Sequence, residues 1–65
     1  MIIQLKTPPN ARAKYYIGFN SILCRPTFSE QRMAALEIPY DQLQLCSKQL
    51  AALGYPNEIV PKIIR

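Results

Sequence analysis

The sequence predicts a small α+β fold: a three-stranded antiparallel sheet with one main helix packed on one face, in a single domain over residues 1–65. Apolar and β-branched runs with period-two character lie at both ends of the chain, as strands require. One run, Gln42 to Leu53, instead repeats its apolar residues at helical spacing. Proline and glycine sit at the borders of these runs, where they punctuate elements.

Met1 to Thr7 reads as the first strand, with Ile3 and Leu5 alternating against Gln4 and Lys6. Pro8-Pro9-Asn10 stops it, because neither proline donates to a sheet ladder. Lys14-Tyr15-Tyr16-Ile17-Gly18-Phe19 is aromatic and β-branched, a candidate extra strand ended by Asn20-Ser21. Regular alternation there points Tyr15, Ile17 and Phe19 one way, as a core face or a docking face. Ile22-Leu23-Cys24-Arg25 is short and apolar and closes at Pro26.

Ser29 to Leu36 has a candidate N-cap followed by good helix formers. Against that, Ala34, Leu36, Ile38 and Tyr40 alternate with period two, and Pro39 disfavours helical backbone at Ile38. The pattern leans towards a strand over Arg32 to Ile38.

The main helix is expected from Gln42 to Leu53, capped by Asp41, with Gln44 completing a capping box. Leu43, Cys46, Leu50 and Leu53 draw one apolar stripe, and Gly54 and Pro56 stop the helix. Leu45 lies roughly 160° from Leu43 around the axis, off the stripe. Two readings of it stand: a staple with Tyr40 across the helix start, which is favoured, or an exposed partner contact. Glu58 to Ile64 reads as the last strand, and Pro61 within it implies an edge or a bulge. The expected core is Leu36, Ile38, Leu43, Cys46, Leu50, Leu53, Ile59 and Ile63.

Sixty-five residues leave little room for that core, and chains of this size usually lean on a staple, a metal or a partner. Cys24 and Cys46 are not spaced as CxxC, and histidine is absent, which removes the common zinc sites and every histidine-based dyad. Reduced thiols are expected, in a soluble intracellular protein without signal peptide or membrane span. Four acids and two glycines offer neither an acid–base pair nor a phosphate-cradling loop. No enzymatic activity and no cofactor are expected.

The net charge is +4, and every charged residue up to Arg25 is a cation: Lys6, Arg12, Lys14 and Arg25. Such a basic half implies an acidic partner, which is protein, nucleic acid or a membrane surface. Aromatic residues are interleaved with these cations, and aromatic and arginine side chains dominate protein interfaces. The candidate partner-binding set is therefore Arg12, Lys14, Tyr15, Tyr16, Phe19, Arg25, Phe28 and Arg32. Lys14, Tyr15, Tyr16 and Arg25 also suit a nucleic-acid module, although the glycine–aromatic spacing of RNA-recognition strands is missing. A stabilising subunit of some other complex is a third reading.

Ile38-Pro39-Tyr40-Asp41, then Leu43, Gln49, Leu50, Leu53 and Gly54, then Ile59-Val60-x-Lys62-Ile63, resembles the small linker polypeptides of phycobilisomes, the rod- and core-capping linkers built on the CpcD-like domain. The likeness covers Arg32 to Ile63; Tyr55 replaces the second family glycine, and Pro56-Asn57 alters the following turn. It implies a strand over Arg32 to Tyr40. It also implies a pigment-free scaffold seated in the central opening of acidic phycobiliprotein rings, the trimers and hexamers of allophycocyanin or phycocyanin. Neither cysteine is then a bilin attachment site. Nucleic-acid binding and membrane insertion are not expected of such a linker, which works in the cytoplasm, peripheral on the cytoplasmic side of the photosynthetic membrane.

Overall fold

A computed structural model describes residues 1–63. Strand β1 (Ile2–Leu5) lies between β2 (Tyr15–Asn20) and β4 (Asn57–Val60), with β3 (Arg25–Ser29) beyond β2. The described residues thus form a four-stranded sheet of order β3-β2-β1-β4, every neighbouring pair antiparallel, with one α-helix, α1 (Tyr40–Ala52). The α+β class is as the sequence predicts, with one strand more. The candidate strand near Tyr15 is β2, and the last strand ends at Val60, ahead of Pro61. Ile64 lies outside the described residues.

The central place of β1 explains its pattern. Neighbouring residues of a strand face opposite sides, and both sides of β1 are covered, so Ile2 and Ile3 are each 0% exposed. Ile3 meets Tyr16, Ile38, Leu43 and Leu50 on the helix side, where Phe28, Cys46, Tyr55 and Ile59 add partial cover. Ile2 meets Tyr15 and Ala35 on the other side, with Ala13 and Val60 beside them.

The strand expected over Arg32 to Tyr40 is not formed. Arg32–Ala34 makes a single 3-10 turn, and the chain then runs extended into the helix. Ladder pairing of β1 with β2 is confined to Gln4 and Tyr15, leaving carbonyls beyond it without a strand partner. The amide of Leu36 donates to Tyr16 O at 3.0 Å, and that of Ile38 donates to Met1 O at 3.1 Å. The segment therefore threads from one face of the sheet to the other. Ala35 is buried with Ile2, and Ile38 is buried with Ile3. The inward positions are three apart, which is why period-two alternation mispredicted Leu36 as core; it is exposed.

Helix α1 starts two residues before the expected Gln42. Pro39 occupies the N-cap position and no side chain caps the helix, so Asp41 is not the cap. Asp41 lies inside the first turn, where its carboxylate faces the positive end of the helix dipole. Tyr40 and Leu45 are both exposed, so the staple is not made. The C-terminus ends in a Schellman motif: Gly54 N donates to Ala51 O and Tyr55 N to Leu50 O, both at 3.0 Å. Gly54 has φ +96°, a conformation that disfavours other residues. Tyr55 packs back on the cluster holding Leu50, the apolar contact that accompanies this motif. Asn57 then ties β4 to the helix, its Nδ2 donating to Ser47 O and Tyr55 O.

Of the expected core, Ile38, Leu43 and Leu50 are buried, and Cys46 and Ile59 are partly so. Leu36, Leu53 and Ile63 are exposed, Leu53 because it follows the last helical turn and lies beyond the sheet's cover.

Candidate docking surface

The eight candidate residues separate into three groups. Tyr15 and Tyr16 are buried, one on each face of the sheet, so neither is an outward anchor; they hold the fold. Arg32 is half-buried and structural as well. Its guanidinium lies 5.6 Å from the Tyr15 ring centre, and its Nε donates to Lys62 O at 3.0 Å while Nη2 donates to Pro61 O. That places a delocalised cation over an aromatic face and ties the chain after β4 to the 3-10 turn. Phe28 is half-buried between two rings, 6.1 Å from Tyr16 and 5.2 Å from Tyr55.

Arg12 is exposed in the β1–β2 loop and pairs with Glu30 at 3.2 Å. Such a pair in open solvent contributes on the order of 0–1 kcal/mol, and it takes Arg12 out of the free positive charge. Lys14, Phe19 and Arg25 are the outward members of the set. Among the described residues neither Lys14 nor Arg25 makes an ion pair.

Phe19 reaches its position through a β-bulge. The β2–β3 register steps from Tyr16↔Phe28 to Gly18↔Thr27, so Ile17 is an extra residue on β2. Gly18 takes φ +139° beside it, and the Thr27 hydroxyl donates to Gly18 O at 2.7 Å. The extra residue flips the parity, and Phe19, opposite Pro26, shares the helix face with Tyr16 and Phe28 rather than the face of Tyr15. Phe19 stands 56% exposed over a cleft of about 310 Å³, lined also by Tyr16, Cys46, Gln49, Leu50, Ala52 and Leu53. A second hollow of about 340 Å³ runs along edge strand β3, lined by Lys14, Arg25, Pro26, Thr27, Phe28 and Tyr55.

The β2–β3 hairpin tip carries further exposed apolar side chains. Asn20 Oδ1 accepts from the amides of Ile22 and Leu23, each at 3.0 Å, closing the turn with Cys24 in the left-handed region at φ 52°. This geometry leaves Ile22 91% and Leu23 54% exposed. Ile22, Leu23 and Leu53 were not among the candidate partner-binding residues, and Leu53 was expected in the core. An apolar pair between a strand and a proline was the available signal for the tip, and it reads equally well as buried strand. Both cysteines are free thiols, Cys24 exposed on this turn and Cys46 partly covered in the cleft.

The chain exposes 4874 Å², against about 4200 Å² expected for a monomer of 7.4 kDa. Phe19, Ile22, Leu23 and Leu53 are among its exposed large apolar side chains, the kind that marks contact sites when clustered. Among the described residues no helix is long and apolar enough to cross a membrane. Compared with known proteins, the chain matches no family model, no curated protein and no solved structure.

Proposed function

We propose that this protein is a non-enzymatic docking module for a large acidic protein partner. The observation that carries the reading is the exposure of Phe19, Ile22, Leu23 and Leu53, with Lys14 and Arg25 lining a hollow of their own, on a chain of net charge +4. Apolar anchors hold a complex once formed, while unpaired cations speed encounter with an acidic surface. Burial of Tyr15 and Tyr16 removes the aromatic platform on which the nucleic-acid reading rests.

Our specific reading is a phycobilisome linker, seated in the central opening of an allophycocyanin or phycocyanin ring, where it caps or stabilises the stack in light harvesting. The Pro39-Tyr40-Asp41 helix start, the helix ending at Gly54, and Ile59-Val60 support it. The 3-10 turn and threading segment where the linkers have a strand count against close kinship. Under this reading the protein carries no pigment and works peripherally on the cytoplasmic side of the photosynthetic membrane. Gradient-purified pigmented assemblies should contain the chain by mass spectrometry, and purified rings should bind it with a salt-sensitive association rate. Recovery with nucleic acid and never with pigmented complexes refutes the linker reading.

A further inference from the structure

We propose that the cleft beneath Phe19 receives one apolar side chain from an acidic segment of the partner, whose carboxylate settles in the adjoining hollow lined by Lys14 and Arg25. The inference rests on the docking reading above and names the chemistry that the surface recognises. Cleft and hollow share a wall: Tyr16 and Leu50 line the first, Phe28 and Tyr55 line the second, and Phe28 touches both tyrosine rings. At about 310 Å³ the cleft is at the bottom of the range for ligand sites, which suits a side chain better than a cofactor. Its walls are Phe19, Leu50, Ala52 and Leu53, with Cys46 between them, so an apolar group gains most there.

Charge selects the occupant. Lys14 and Arg25 both line the second hollow, from opposite ends of the β2–β3 hairpin, and none of its described lining residues is acidic, so a carboxylate is the group it favours. A second copy of this chain is disfavoured, because its apolar hairpin tip would bring Arg25 against the Lys14–Arg25 hollow. Two cations in one hollow do not form the extended phosphate track that a nucleic-acid strand follows.

The two cysteines provide the readout on the full chain. Cys46 lines the cleft, whereas Cys24 lies on the hairpin turn and serves as the internal reference. A short synthetic peptide of glutamates around one central leucine should slow alkylation of Cys46 several-fold and leave Cys24 unchanged. The same peptide with serine for leucine, or with lysine for glutamate, should give no protection. Lys14→Glu with Arg25→Glu should weaken peptide binding by at least about tenfold, near 1.4 kcal/mol, while Arg12→Gln leaves it unchanged. Peptide binding without protection of Cys46 overturns the cleft assignment and leaves the docking reading intact. So does capture of whole acidic rings by a chain that binds none of the peptides. Protection that grows with the chain's own concentration, or that an oligonucleotide gives better than the peptide, overturns the acidic-segment occupant. If neither rings nor peptides bind, the docking reading itself fails.

Discussion

Leu50 and Leu53 sit one helical turn apart on the stripe that the sequence assigns to the core, yet they should respond oppositely to truncation. Leu50 is 4% exposed within the cluster of Ile3, Tyr16, Ile38 and Leu43, so Leu50→Ala leaves a cavity in the centre of the fold. Large-to-small changes of this kind cost about 2–5 kcal/mol. A chain of 65 residues has a total stability on the order of 3–10 kcal/mol, so the variant loses about a fifth of it or more. Leu53 is 59% exposed. Full burial of a leucine side chain is worth about 1.5–3 kcal/mol, and covering about two-fifths of it gives at most about 1 kcal/mol. Urea titration followed by circular dichroism should show a large fall in midpoint for Leu50→Ala and a small one for Leu53→Ala, with unchanged slope for both. In thermal melts the Leu50 loss corresponds to at least about 8 °C for a domain of this size. Equal losses, or a larger one at Leu53, would show that the helix is rotated from the position described and that the cleft is part of the core.

Gly54→Ala should destabilise the protein by about 1–2 kcal/mol in the same titration, although a Cβ there meets no neighbour, because the cost is the left-handed backbone at φ +96°. A neutral result would mean that the Schellman motif is not populated. Burial pushes the Tyr16 hydroxyl above its ordinary value of 10.0, and the nearby Cys46 thiolate adds to the shift. The phenol is neutral in both states below about pH 10; above it the unfolded chain ionises first, so stability is full below that pH and falls as pH rises towards the folded-state value. Tyr16→Phe should therefore flatten the alkaline loss of stability, and an unchanged pH profile would place the ring in water. Arg32→Gln should lower the melting temperature, since it removes the hydrogen bond to Lys62 O and the cation over the Tyr15 ring; no change would mean the contact is only a surface one.

The helix and both terminal strands were legible because their signals are local. Leu43, Cys46 and Leu50 repeat at helical spacing, Gly54 ends the helix, and Ile2-Ile3 and Ile59-Val60 are β-branched runs. The segment from Arg32 to Ile38 was not legible, because its conformation is set by partners far away in sequence. Its amides answer carbonyls at Tyr16 and Met1, and its inward residues Ala35 and Ile38 serve opposite faces of the sheet. No period within one segment encodes a crossing from one face to the other. The burial of both faces of β1 escaped for a similar reason: alternation predicts one buried face, and the second is covered by Ala35 from the distant segment after the 3-10 turn.

The candidate surface was legible in kind and displaced in detail, and one inserted residue accounts for much of the displacement. Strict alternation through β2 groups Tyr15 with Phe19. The bulge at Ile17 breaks that grouping, sending Tyr15 to the Ile2 side and Phe19 to the helix side. Without the parity change, Phe19 would stand on the face that Arg32 and Ala35 already cover, and the end of α1 would have no aromatic wall across from Leu53. With it, an exposed aromatic ring and an uncovered helix end line one cleft, and Lys14 and Arg25, which make no ion pair among the described residues, line a second hollow. The fold itself does not require such an arrangement: burying Phe19 or replacing Ile22 and Leu23 with polar residues would make a better isolated monomer. The chain instead keeps this apolar area outside its core, which is the arrangement that the proposed docking role requires.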